Sequence, residues 1–320
     1  MAKILAIRTD RFGEFLLIIP ALRALKEKFP GVFLSLIVNP HVKELAQHVE
    51  FADEVIPWEN RRHSLRELWD FSRLLKKKGF AICLIFNPAK ELHLLSFLAG
   101  IPMRIGYGRK WGILLTHKKA DEKQDGDKHE IEYNLELAGL AGAETKDHSL
   151  SLNIGDDAMA AFLEKFSLRA VDKFIAIHPW TSDPLKQWEL ENFRELAQRA
   201  ERELDLEVFV IGGKEEAQKF PRYFADLGEG ILDLTGKTSL CELAALLKLS
   251  RVLVSADSGP VHLASCVGTP AIVIFRSDLP GKTSVRWGPR GCGNVVLEAP
   301  DLGRITVEEV WEKLKGALKK

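Results

Sequence analysis

The chain has 320 residues, of which 46% are hydrophobic, and its 45 Lys plus Arg balance 45 Asp plus Glu. That length exceeds what one compact core usually holds, so two domains are expected, and a net charge of zero argues against nucleic acid as the main partner. The four cysteines, Cys83, Cys241, Cys266 and Cys292, form no CxxC pair, which argues against a zinc site or redox dithiol and for free thiols in a reducing compartment.

The opening residues read as a first strand, Lys3–Ile7, rather than a leader peptide. The longest uncharged apolar run, Phe15–Leu22, is far short of the roughly 20 residues of a membrane span. A cytoplasmic protein is therefore expected. A helix follows over Glu14–Phe29, with an irregularity at Pro20. The pattern then predicts a strand at Phe33–Val38, a helix at His41–Val49 and a short strand at Glu54–Pro57. A helix over Ser64–Lys78 ends at Gly79, and a buried strand follows at Ala81–Phe86. The charged stretch Ala120–His129 reads as a loop before a helix at Glu130–Leu140. A second series begins with a strand at Phe174–His178, a helix at Leu190–Glu203 and a strand at Glu207–Ile211. It continues with a helix at Leu240–Leu247, a strand at Val252–Ser255, a helix at Val261–Val267 and a strand at Ala271–Phe275. It closes on a helix over Thr306–Leu318. Alternating helices and continuous apolar strands predict an α/β fold with doubly wound parallel sheets. The boundary is expected between Asp147 and Asp172. Two such halves facing each other leave a cleft at the carboxyl ends of their strands, where ligands bind in sheets of this kind.

Three strand exits carry the candidate chemistry. The first is Asp257-Ser258-Gly259 after Val252–Ser255, opening the helix that contains His262. Backbone N–H groups at such a turn suit a diphosphate, and Asp257 or Ser258 can equally serve as a helix cap. The second is His178-Pro-Trp-Thr181-Ser182-Asp-Pro-Leu-Lys186, whose hydroxyls and lysine can grip phosphate or ribose oxygens or form a plain polar loop. The third is Asp10-Arg-Phe-Gly13-Glu14. A carboxylate on a first helical turn is favoured in its ionised form by the helix dipole and is a candidate general base. Arg61, Arg62, Arg66 and Arg104, with Arg109 and Lys110, make the first half locally basic, as a site for an acidic group or as a solvated face. The two GKT triplets, at Gly236 and Gly281, are not phosphate loops, because the glycine needed five residues earlier is Ile231 or Arg276. Asp125-Gly-Asp127 lies in the charged loop and reads as solvated. The first strand exit has a single glycine, which argues against a dinucleotide-binding dehydrogenase.

Taken in order and spacing, these segments resemble glycosyltransferase family 9, the heptosyltransferases. The resemblance runs from Asp10–Leu25, through Ile177-His178-Pro179 and Lys186-Gln-Trp188, to Leu234-Thr-Gly236 and Ser255–Ala264. It implies a GT-B fold of two Rossmann-like domains, an acceptor-binding domain at 1–155 and a nucleotide-sugar-binding domain at 156–320. The terminal helix 306–320 is then free to pack back on the first domain. The activity implied is inverting transfer of L-glycero-D-manno-heptose from ADP-heptose to a Kdo or heptose acceptor of the lipopolysaccharide inner core. No metal or other cofactor is implied.

The same resemblance sets Asp257, Ser258, Gly259 and His262 near the donor, Thr181 and Ser182 at its diphosphate, Lys186 at its ribose or phosphate side, and Glu216 at its ribose. The acceptor falls to the half bearing Arg61, Arg62, Arg66 and Arg104. The base corresponds to Glu14, where the family has Asp, with Asp10 as a nearby substitute. The implied partners are the nucleotide-sugar donor and a lipid A–Kdo type acceptor, with peripheral contact at the cytoplasmic face of the inner membrane. A GT-B enzyme using another nucleotide sugar, as transferase or epimerase, and a non-catalytic sugar-nucleotide binder are the alternative readings.

Overall fold

In the computed structural model, which describes residues 2–168, 174–204 and 206–319, the apolar runs of the first half pair as six parallel strands. They are β1 (Lys3–Arg8), β2 (Phe33–Val38), β3 (Glu54–Pro57), β4 (Ile82–Ile85), β5 (Met103–Tyr107) and β6 (His117–Lys119), in the order β3-β2-β1-β4-β5-β6. The second half repeats the plan. Its strands are β7 (Phe174–His178), β8 (Glu207–Val210), β9 (Ile231–Asp233), β10 (Leu253–Ala256), β11 (Ala271–Arg276) and β12 (Val295–Ala299). Their order, β12-β11-β10-β7-β8-β9, is the first order read from the opposite edge, again wholly parallel. Helices cover both faces of such a sheet, which is why the central strands carry unbroken runs such as Ile-Leu-Ala-Ile and Ile-Ala-Ile. In each sheet the strand order reverses between the first and fourth strands, at β1/β4 and β7/β10. Adjacent loops diverge there and leave a crevice.

The helices follow their local signals. Leu65–Lys78 starts at a capping box of Ser64 and Glu67 and stops at Gly79, whose φ of 72° favours glycine. Leu240–Leu249 has the same start, from Ser239 and Glu242. The helix expected over Glu14–Phe29 is in fact two, Phe12–Leu16 and Ile19–Lys28. Pro20 has no N–H to continue the first and sits in the opening turn of the second.

The chain divides into two units, Met1–Ser149 and Leu150–Lys320. Leu150–Gly155 belongs with the second because the Leu152 N–H bonds the Cys266 carbonyl at 3.1 Å and Lys248 reaches the Ile154 carbonyl at 2.7 Å. Residues 169–172 of the expected boundary region lie outside the described residues. The terminal helix, Val307–Leu318, packs on helix Leu190–Leu204 and on β11 of its own unit, and buries Trp311 and Leu314 in that unit's core. The Trp188 indole, fully buried, donates to the Ile305 carbonyl at 2.9 Å and fixes the approach to this helix. No helix among the described residues is long and apolar enough to cross a membrane.

Candidate active site

The exit of β1 gathers the acidic candidates. Thr9 is tied across the switch point to Asn87, just past β4: its N–H donates to Asn87 Oδ1 at 3.2 Å and its Oγ1 accepts from Asn87 Nδ2 at 3.1 Å. This clamp fixes where the next residues leave the sheet. Asp10 accepts from Arg8 Nε at 2.7 Å. Glu14, 9% exposed on the short helix Phe12–Leu16, accepts from Arg11 Nε at 2.9 Å. Burial raises the Glu14 pKa above the ordinary carboxylate value, and the nearby Asp10 charge adds to the rise. The cations Arg11 and Arg8 oppose it without reversing it. A backbone N–H at this helix start favours the charged form, as expected for a first-turn carboxylate, but the helix has only five residues and desolvation outweighs the effect.

Beside this exit lies a cavity of about 390 Å³ bordered by Thr9, Trp58, Arg61, Arg62, Lys90 and Lys110. These residues follow β1, β3, β4 and β5, so the cavity sits at the carboxyl edge of the sheet. Trp58 is stacked on His63 and Phe71, with ring centroids 4.0 and 4.2 Å away, and His63 is fixed to Glu91 at 2.8 Å. One wall is therefore rigid. Glu59 and Glu91 also border the cavity, but Glu59 is paired with Arg61 and Glu91 with His63, and Arg61 is held by Glu67 as well, which leaves Arg62, Lys90 and Lys110 as its remaining basic groups. Of the other expected arginines, Arg66 points outward with only a 3.8 Å pairing to Asp70. Arg104 donates to the Leu114 and Ile101 carbonyls and lies over Phe97, which makes it a support for its loop. Neither borders the cavity.

In the second unit the site forms at the β7/β10 switch point. His178, the last residue of β7, pairs in register with Ser255 of β10. Ser258 caps the helix Gly259–Val267 by position, but its side chain makes no cap bond. Instead Ser258 Oγ lies 2.9 Å from His178 Nδ1 and 3.0 Å from Ser255 Oγ. Burial pushes the His178 pKa down to about 3, so the imidazole is neutral at physiological pH. Lys186 forms an ion pair with Asp257, both largely buried. Thr181 Oγ1 accepts from the Asp183 N–H at 3.3 Å, and Ser182 stands beside it in the same loop. His262 is buried one turn into the helix, its ring 6.3 Å from that of Trp287. Glu216 bonds back to the Gly213 N–H at 2.9 Å, opening the helix Lys214–Lys219 after β8. The backbone comes so close here that a Cβ on Gly212 would lie 2.5 Å from Trp180 Nε1.

The structure thus brings Asp10 and Glu14 together in one unit, and Lys186, Asp257 and Ser258 in the other. It adds residues that sequence reasoning passed over: the Thr9–Asn87 clamp, Lys90, and His178 as the partner of Ser258. Asn87 and Lys90 follow a strand exit, and a polar residue at that position was the one signal available for them.

Comparison with known proteins shows what the whole chain is similar to. The family model described as Glycosyltransferase family 9 (heptosyltransferase) matches residues 68–309. The chain is 26% identical over 332 residues to lipopolysaccharide heptosyltransferase 1 of Escherichia coli K12, covering 98% of this chain and 99% of that protein. It superposes on the E. coli ADP-heptose lps heptosyltransferase II with a TM-score of 0.84 at 20% identity, over 99% of this chain and 98% of that one. For the E. coli heptosyltransferase WaaC with ADP the TM-score is 0.77 at 21% identity, over 98% and 99%.

The neutral state of His178 is directly measurable. Its ring ¹⁵N shifts are expected to stay those of a neutral imidazole from pH 8 down to pH 5, since its pKa is held near 3. A midpoint near the ordinary value of about 6.5 would contradict the buried Ser258–His178 lock. Because the unfolded chain binds this proton below about pH 6.5 and the folded chain does not, the group also makes stability fall as pH drops through that range.

Proposed function

Because the chain belongs to glycosyltransferase family 9 (heptosyltransferase), we propose that it transfers L-glycero-D-manno-heptose from ADP-heptose to a Kdo or heptose residue of the lipopolysaccharide inner core. The anomeric configuration inverts and no metal takes part. The observation that carries this reading is a buried carboxylate of raised pKa, Glu14, following a strand exit whose Thr9 borders a cavity with four basic residues and the carboxylates of Glu59 and Glu91. The ADP in the similar WaaC structure supports the choice of nucleotide.

Glu14 is the base. Asp10 is engaged by the buried Arg8, whereas Glu14 pairs with Arg11, whose side chain is 71% exposed, so that water screens the pair. A raised pKa makes Glu14 a stronger proton acceptor than an ordinary carboxylate. It takes the proton of the acceptor hydroxyl while that oxygen bonds the anomeric carbon and the bond to the diphosphate breaks, releasing ADP. Lys186 and Ser258, with Thr181 and Ser182, meet the diphosphate, and Glu216 the ribose. Pro260 has no N–H, and the Val261 N–H is taken by the Ser258 carbonyl at 3.2 Å, so backbone support for the leaving group falls to Ser258 and Gly259. Arg62, Lys90 and Lys110 suit an acceptor bearing carboxylate or phosphate.

Peripheral contact with the inner membrane is supported by the outer face of Leu65–Lys78. Leu65 and Trp69 are 81% and 54% exposed there, among Arg62, Arg66 and Arg73. Exposed Leu and Trp flanked by arginines, one of them weakly paired with Asp70, suit an anionic lipid surface. The Leu65→Ser/Trp69→Ser variant is expected to lose most of its co-sedimentation with vesicles rich in phosphatidylglycerol. Unchanged binding would remove this face from the role.

In a turnover assay with ADP-heptose and a Kdo-bearing acceptor, Glu14→Gln should lower kcat by about 100-fold or more, while ADP affinity changes by less than about twofold. Wild-type turnover in that variant would eliminate Glu14 as the base. Its pH profile should show an acidic limb above the ordinary carboxylate range, because the group must be deprotonated to act.

A further inference from the structure

Behind the carboxylates of the first unit lies a buried set of charges that the reaction described above does not use. Arg8, the last residue of β1, is 4% exposed, and its guanidinium makes three contacts, one with Asp10 just past β1 and two with the helix Glu130–Gly139. Nε donates to Asp10 Oδ1 at 2.7 Å, and NH1 lies 3.4 Å from Glu130 Oε1 and 3.5 Å from Asn134 Oδ1. Glu130 is fully buried at the start of the helix Glu130–Gly139 and also accepts from Lys123 Nζ at 2.5 Å. Lys123 turns inward out of the charged loop that precedes this helix and lies 4.6 Å from the Tyr107 ring centroid. Asn134, one turn along, donates through Nδ2 to the Leu17 carbonyl at 3.0 Å. Leu17 closes the short helix that carries Glu14.

The base is therefore bracketed. Before it, Arg8 holds Asp10. After it, Asn134 holds the end of its helix, and Asn134 itself touches Arg8. Asp10 and Glu14, four residues apart around one turn, repel when both are charged, and the cost grows where solvent is excluded. The charged groups acting on Glu14 are Asp10, Arg11 and Arg8, and Arg8 in turn is balanced by Asp10 and Glu130. Arg11 is at the surface, so the buried countercharge at the pair comes from Arg8.

We propose that Arg8 is a positioning residue of the transfer reaction: clamped by Glu130 and Asn134, it screens Asp10 from Glu14 and so sets the pH above which Glu14 accepts the acceptor's proton. Glu130 and Lys123 are the charged support that keeps Arg8 in place. A guanidinium suits this position because a planar fork can serve Asp10 on one edge and Glu130 and Asn134 on the other. The proposal rests on Glu14 being the base.

The test is the pH dependence of the single-turnover rate in the full-length chain with ADP-heptose and a Kdo-bearing acceptor. Arg8→Gln leaves Asp10 unscreened, and the acidic limb should move up by about one pH unit. Adding Asp10→Asn removes the repulsion, and the limb of the double variant should return to the wild-type position. Damage to folding alone would not reverse in that way, because Glu130 has lost the same partner in both variants. Arg8→Lys, which keeps a charge beside Asp10, should leave the limb within about 0.3 units of wild type and keeps the test available if Arg8→Gln fails to fold. A limb unmoved by Arg8→Gln, one not restored by the second substitution, or one displaced in Arg8→Lys as far as expected for Arg8→Gln would overturn the proposal. Glu14→Gln distinguishes the two levels: wild-type turnover there would remove the base itself, whereas lost turnover with an unmoved Arg8→Gln limb would remove only the role of Arg8.

Discussion

The constraint on which the rest depends is the parallel pairing of each sheet about a central reversal. A parallel sheet covered by helices on both faces offers no interior position for unpaired polar groups, so its strands are apolar and its chemistry is displaced to the strand ends. The reversal at β1/β4 and at β7/β10 then separates the loops on either side and opens a place for a ligand. Both units hold that place with a polar lock between the two strands concerned. In the first it is Thr9 with Asn87, and in the second His178 with Ser255 and Ser258. The locks serve different ends. The first is followed by an acidic pair and borders a cavity of mixed charge, and the second presents a hydroxyl and a helix start beside a lysine.

The electrostatics of the two units differ in the same sense as their proposed roles. In the second, the lysine that would face a diphosphate is paired with Asp257. A nucleotide that binds there competes with that carboxylate, so affinity depends on how far the pair reorganises. In the first, burial raises the proton affinity of Glu14, and its pairing with the exposed Arg11 opposes that rise without reversing it. As the proposed base, Glu14 has one methylene more than the Asp of the family pattern, which changes where its carboxylate reaches. The geometry that decides its reach is fixed by Arg8 and Asn134 at the two ends of a five-residue helix.

Much of this was legible from the sequence because strong local signals agree with the fold. Ser64 and Gly79 bound one helix as a capping box and a left-handed glycine should, and strands Phe33–Val38, Glu54–Pro57 and Phe174–His178 stand where their apolar runs begin and end. Edge strands were harder to see. His117–Lys119 is three polar residues whose strand character comes wholly from pairing with β5. The Pro20 irregularity was visible, but not that it splits the helix and deprives Glu14 of a long dipole. At the site, the candidate residues are close in sequence to glycine turns and strand exits, so pattern reasoning could reach them. The partners of Arg8 could not be reached, because Glu130 and Asn134 are more than a hundred residues away and read locally as an ordinary helix start. Lys123 reads as one charge in a solvated run, and only the fold turns it inward.

The central claim is that the β7/β10 strand exit, with Lys186 and Ser258, is built for an adenosine diphosphate sugar. Its most direct test is calorimetric titration of the full chain with ADP, UDP, GDP and CMP, repeated on Lys186→Ala. The account predicts ADP to bind at least about tenfold more tightly than the others, and Lys186→Ala to lose about tenfold or more of that affinity. Equal binding of all four nucleotides, a preference for a uridine or guanosine diphosphate, or an affinity untouched by Lys186→Ala would contradict it.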